Sequence, residues 1–166
     1  LSAKLSAHRK SSKIDLADSS SFDADSVENM LQTLTASMKE DRKRLTEDIL
    51  TALEVHPSNR FNPKIYFRLA ELYFDEAGDE FQRKLREYER RMTDDKDTAG
   101  MLFPEYNLDR VIAVYQKILD QYPGDDIADD ACFYKALALQ KIGRDSLANV
   151  VMQELIDKYQ QSEYYV

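Results

Sequence analysis

Two histidines, one cysteine and a run of aspartates are the residues of this 166-residue chain best suited to chemistry beyond solvation. His8 lies in a Ser-rich stretch and His56 beside Pro57, with no Cys or Ser arranged around either as a nucleophile–base pair requires. Cys132 falls on the apolar face of a helical pattern, which makes it a small core residue. A lone cysteine forbids an intrachain disulfide, and no Cys/His cluster has zinc spacing. The phrase TDDKDTAGMLFPE offers Asp94, Asp95, Asp97 and Gly100 in the manner of a calcium loop. Counted from Asp95, however, Ala99 takes the fifth position and Tyr106 the place of the bidentate Glu, with Glu105 one residue early. A solvated turn is the better account. No Gly-rich phosphate loop, His–Glu zinc helix or nucleophile elbow occurs. The expectation is therefore a non-enzymatic protein with no catalytic, cofactor-binding or metal-binding residues.

The elements that position these side chains follow from composition. Four Gly and four Pro are too few for the many turns of a β-sandwich or barrel, so the fold class expected is all-α. A formal net charge of −8 argues against nucleic acid, whose phosphates need clustered Lys and Arg. No apolar run approaches the roughly 20 residues of a membrane span. Leu1 opens the chain, and Tyr164, Tyr165 and Val166 look like the start of another element, so a fragment of a longer protein is expected. Any signal peptide or lipidated cysteine would then lie outside it.

Residues 1–24 read as a flexible or loosely packed lead, with Ile14, Leu16 and Phe22 as anchors if it serves as a docking arm. Residues 25–57 read as an N-terminal helix, the second-helix half of a repeat, with Leu31, Leu34, Met38, Leu45 and Ile49 at helical spacing and Pro57 ending it; the polar stretch Lys39 to Arg44 interrupts the stripe, so the pattern fits one long helix to about Val55 or two. Pro57 and Pro123 each close an apolar helix, 66 residues apart. At that offset Leu45 matches Val111, Ile49 matches Tyr115, Ala70 matches Ala136 and Asp79 matches Asp145. A third copy lies 37 residues further on, with Ala148, Met152, Leu155 and Ile156. The chain is a helical repeat. Helices are expected over 26–55, 64–92, 108–122, 129–142 and 146–160, with Gly143 in a left-handed cap.

"PKIYFRLAELYFDEAGD" and "ADDACFYKALALQKIGRD" supply first helices, and "LDRVIAVYQKILDQYPGD" and "DSLANVVMQELIDKYQQSEYY" second helices. These phrases resemble the tetratricopeptide repeat, with small residues at Ala70 and Ala136, an aromatic at Tyr115 and terminal prolines at Pro57 and Pro123. The resemblance implies a right-handed superhelix of antiparallel helix pairs. Two repeats span 58–166, the first interrupted by an insertion at 79–107, and a third begins at the C-terminus. "YPGDDIADDA" and "KYQQSEYY" look most like the bacterial envelope subgroup, which includes the Tol–Pal-associated periplasmic repeat protein and the repeat lipoprotein of outer-membrane β-barrel assembly. "FRLAELYFDEA" before a long insertion is similar to repeat proteins of gliding-motility envelope complexes. Two departures stand out. Lys135 occupies a position that the family keeps as Leu, so its ammonium is expected at the surface, and Gln160 replaces a terminal Pro, which predicts a looser last turn.

The resemblance implies a scaffold or adaptor that binds protein partners in a cell-envelope assembly, periplasmic or at the outer membrane. The alternative is a structural solenoid segment for intrachain stacking or self-association in a longer, cytoplasmic protein. The groove positions would be Lys64, Phe67, Glu71, Phe74, Phe133, Leu137 and Gln140. One long helix projects beyond the repeat, and its stripe of Phe81, Leu85, Tyr88 and Met92 needs a cover. That cover is either the N-terminal helix or a partner.

Overall fold

The computed structural model describes residues 24–94 and 100–164, which hold five α-helices and no strand. The lead with Ile14, Leu16 and Phe22, His8, the acidic positions Asp95 and Asp97, and Tyr165 and Val166 lie outside the described residues. The helices are α1 (Ala24–Val55), α2 (Asn62–Asp94), α3 (Asp109–Gln121), α4 (Ala128–Lys141) and α5 (Asp145–Lys158). Each lies within a few residues of the range expected from apolar periodicity.

The chain divides into residues 1–41 and 42–166. In the first unit the described N-terminal part of α1 leaves Met30, Leu31, Leu34 and Met38 exposed. The second unit contains the core. α3 packs against both α2 and α4, and α4 also packs on α5. Ala70 and Ala136 are fully buried, as expected where helices approach closely, and Tyr115, Val111, Ile118, Cys132, Leu139 and Leu155 fill the space around them.

One turn occurs three times. The N–H groups of Asn59, Asp125 and Ser162 donate to the carbonyls of His56, Tyr122 and Tyr159 at 3.3, 3.1 and 2.9 Å. The side-chain oxygens of the same three residues accept from the N–H groups of Phe61, Ile127 and Tyr164 at 2.9, 3.3 and 3.2 Å. Asn, Asp and Ser favour such turns because a short side chain can mimic a backbone acceptor. Neither proline takes part in these two recurring bonds, and the copy with Gln160 in place of proline keeps both. In the first copy buried Asn62 adds two bonds, from Nδ2 to the carbonyls of His56 and Pro57 at 2.9 and 3.0 Å.

Gly143 ends α4 with φ +72°, and the N–H groups of Gly143 and Arg144 return to the carbonyls of Gln140 and Leu139, both at 2.9 Å. This paired arrangement satisfies carbonyls that the helix end would otherwise orphan, and a side chain at residue 143 would strain it.

Lys135 requires a correction. The residue is only 8% exposed, not at the surface, and its ammonium donates to Oε1 of Gln116 on α3. Gln116 in turn donates from Nε2 to Asp120 Oδ1 at 2.7 Å. A carboxamide polarised by a carboxylate thus replaces the carboxylate that a buried cation would be expected to find. One repeat earlier Leu50 and Leu69 hold the positions of Gln116 and Lys135, so the two substitutions compensate each other.

Candidate protein-binding groove

α2 and α4 stand on either side of α3 and leave an open cavity of about 500 Å³ between them. Val111 and Tyr115 of α3 form its floor. Its walls present the same repeat positions from each side, 66 residues apart: Arg68 with Tyr134, Glu71 with Leu137, and Asp75 with Lys141. Phe74 and Ala138 complete the lining. Helical spacing accounts for both rows, since residues three and four apart share a face.

Phe67 sits half-buried beneath this cavity, with its ring centroid 5.4 Å from that of Tyr115 and 5.7 Å, edge-on, from that of Tyr134. These rings give the groove a stiff apolar base, because aromatic side chains lose little rotamer freedom when they pack. Burial, and next the nearby Glu71 carboxylate, push the Tyr115 hydroxyl well above its ordinary pKa, so it stays protonated at any physiological pH. At the rim Arg68 pairs with Glu71 at 2.9 Å, and Lys141 lies over the rings of Tyr106 at 4.3 Å and Phe74 at 5.9 Å. Both cations are thereby steered along the walls, leaving the centre apolar.

Of the seven groove positions expected from the sequence, Glu71, Phe74 and Leu137 line the cavity and Phe67 supports it. Lys64 lies elsewhere, paired with Asp126 at 3.2 Å. Phe133 turns away and stacks on Tyr164, with centroids 4.0 Å apart and planes 5° from parallel. Gln140 is exposed outside the lining. The residues missed on α4 are Tyr134, Ala138 and Lys141. They follow from Leu137 by steps of three, one and four, a register one residue along from the one beginning at Phe133.

The projecting half of α2 has a cover that neither sequence-based alternative included. Within the insertion itself the chain returns along this helix, and Tyr106 stacks on Phe81 with centroids 4.2 Å apart and planes 13° from parallel. Phe103 meets Tyr88 edge-on at 5.5 Å. Leu85 is half-buried, Met92 is exposed, and Leu102 at the tip is 89% exposed. A smaller depression of about 260 Å³ lies here, lined by Arg83, Lys84, Tyr88, Arg91, Met101 and Leu102 among others. Hydrogen bonds from Arg90, and next Arg91, lower the Glu87 carboxyl to about 2.

Cys132 donates from Sγ to the Val151 carbonyl at 3.4 Å, and burial pushes its thiol up to about 11, so it is not a nucleophile at neutral pH. His56 is exposed. Among the described residues no group of three or more His, Cys, Asp or Glu is placed to hold a metal ion, and no helix is long and apolar enough to cross a membrane. No family model matches the chain, and neither a curated protein nor a solved structure is significantly similar to it.

Proposed function

We infer that the chain is a non-enzymatic, tetratricopeptide-like scaffold that binds a protein segment in the groove between α2 and α4. The observation that carries this reading is the aromatic-floored cavity of about 500 Å³, walled by equivalent positions of two successive first helices. Stacked helix pairs create such extended surfaces because each contacts only its neighbours and leaves one edge of the stack open. An apolar centre between two rims of mixed charge suits a short amphipathic helix better than an anionic ligand or a nucleic acid. The repeated turn supports the superhelical reading, since turns with matching hydrogen bonds lead from α1 to α2 and from α3 to α4.

The assignment to a bacterial envelope assembly, periplasmic or at the outer membrane, rests on the phrases "YPGDDIADDA", "KYQQSEYY" and "FRLAELYFDEA". Cell fractionation with a tagged full-length protein tests it, and recovery in the cytoplasm would overturn it.

The groove is tested by comparing proteins retained from envelope extract by the wild-type chain and by the double variant Phe74→Asp, Leu137→Asp. These residues are 39% and 37% exposed, so two carboxylates there should spare the fold, as circular dichroism would check. The expected result is a partner retained by the wild type and lost by the variant. Equal retention by both refutes the groove and favours the structural solenoid segment.

A further inference from the structure

Beyond the groove, the geometry points to a second docking surface on the basic flank of the projecting half of α2, which receives an acidic peptide segment carrying one apolar side chain. The stripe of Phe81 and Tyr88 is not itself that surface, because Tyr106 and Phe103 already lie against those rings. Beside it lies the depression of about 260 Å³, whose lining joins two chemistries. Among the described residues Arg83, Lys84 and Arg91 set three cations there against the single carboxylate of Glu87, while Tyr88, Met101 and Leu102 add apolar surface. Leu102 is 89% exposed, so the returning chain lines the depression without closing it.

The charge of this stretch opposes that of the chain. Residues 83–92 hold five Arg and Lys and two Glu, in a protein of net charge −8. The nearby carboxylates are each shared between two cations. Glu80 accepts from Arg83 at 2.7 and 3.0 Å and pairs with Lys84 at 3.5 Å. Glu87 accepts from Arg90 at 3.0 and 3.1 Å and from Arg91 at 2.7 Å. One carboxylate balances one cation, so the Arg83 and Lys84 end keeps a positive charge, and the lining as a whole attracts anions. Arg83 and Arg91 are eight residues apart, about 12 Å along the helix axis. An extended peptide covers that distance in about three to four residues. The occupant is therefore a segment with two carboxylates at that spacing and an apolar side chain between them. The depression is smaller than the roughly 300–1,000 Å³ of a small-molecule site, so it admits one side chain and not the face of a helix. Its concave form suits a peptide better than a bilayer, whose surface has no side chain to place inside.

The test selects a displayed library of short random peptides on the full chain and titrates the enriched peptides, fluorescently labelled, by anisotropy. The expected result is a class rich in Asp and Glu around one apolar residue. Its binding should weaken at least about tenfold when Lys84→Gln and Arg91→Gln are combined, and at least about threefold with Leu102→Ser. Raising salt from about 50 to about 300 mM should weaken it too, because screening shortens the reach of exposed charges. All three side chains are exposed, so the variants should keep the fold, as circular dichroism would check. No acidic class, or one that both sets of substitutions leave unchanged, overturns the proposal. An acidic class lost with Phe74→Asp, Leu137→Asp but kept with the flank variants belongs to the groove and overturns it as well. Co-sedimentation with vesicles of anionic lipid, lost in the same flank variants, would overturn the peptide assignment in favour of a bilayer.

Discussion

Replacing Gln116 by Leu should destabilise the protein although it puts an apolar residue into a largely apolar contact. Lys135 is 8% exposed and its ammonium donates to Gln116 Oε1, so the substitution removes the acceptor and leaves a covered cation facing methyl groups. A hydrogen bond to a charged group is worth about 1.5–3 kcal/mol when its partner is lost on burial. For a chain of this size each kcal/mol moves the melting temperature by about 2–4 °C, which predicts a fall of about 3–12 °C. Adding Lys135→Leu removes the stranded charge and places at both positions the residue type, leucine, that the sequence carries 66 residues earlier at Leu50 and Leu69. Replacing a buried polar pair by apolar residues of similar volume is often neutral or stabilising, so the double variant should return to within about 1 kcal/mol of the wild type or exceed it. Urea denaturation of the wild type, both single variants and the double variant completes the cycle. A double variant as unstable as Gln116→Leu, or a Gln116→Leu variant that melts normally, would refute this account of the α3–α4 contact.

Three further outcomes are expected. Phe81→Ala and Tyr106→Ala should be non-additive by about 0.5–1.5 kcal/mol in a double-mutant cycle, because their rings stack; strict additivity would deny that the returning chain covers α2. Gly78 lies inside α2 and a Cβ there would meet nothing within 4 Å, so Gly78→Ala should stabilise by about 1 kcal/mol, and an unchanged urea midpoint would contradict this. The Cys132 thiol ionises near 11 when folded and near 8.5 when unfolded, so its contribution to stability is complete below about 8.5 and is lost as pH rises towards 11. Wild type and Cys132→Ala compared in urea at about pH 8 and pH 10.5 should show the larger pH-dependent loss in the wild type, with thiol-reagent labelling slow until unfolding.

Much of the helical framework was legible because its causes are local. Apolar residues three and four apart, Pro57 and Pro123 beyond helix ends, and Gly143 at a left-handed cap act within one or two turns of backbone. The 66- and 37-residue offsets identified equivalent positions, and the structure gives those positions equivalent turns. Ala70 and Ala136 could be read as packing points because few other residues let two helices approach so closely.

Facing direction is set elsewhere. Successive residues on a helix point about 100° apart, so a one-residue shift in the contacting row exchanges Phe133 for Tyr134 in the groove. α4 is apolar nearly all round, with Ala131, Cys132, Phe133, Tyr134, Ala136, Leu137, Ala138 and Leu139 in nine positions, and its own pattern carries no mark of which side is open. Only the packing of α3 and α5 against it decided that Leu137 lines a groove while Phe133 meets Tyr164. Lys135 likewise looked like a surface residue because its acceptor, Gln116, lies on another helix and has an unremarkable polar spacing of its own. Local patterning marks where each helix runs and which positions repeat. The tertiary structure alone decided which side of each helix is covered, because burial depends on contacts between residues that no local period connects.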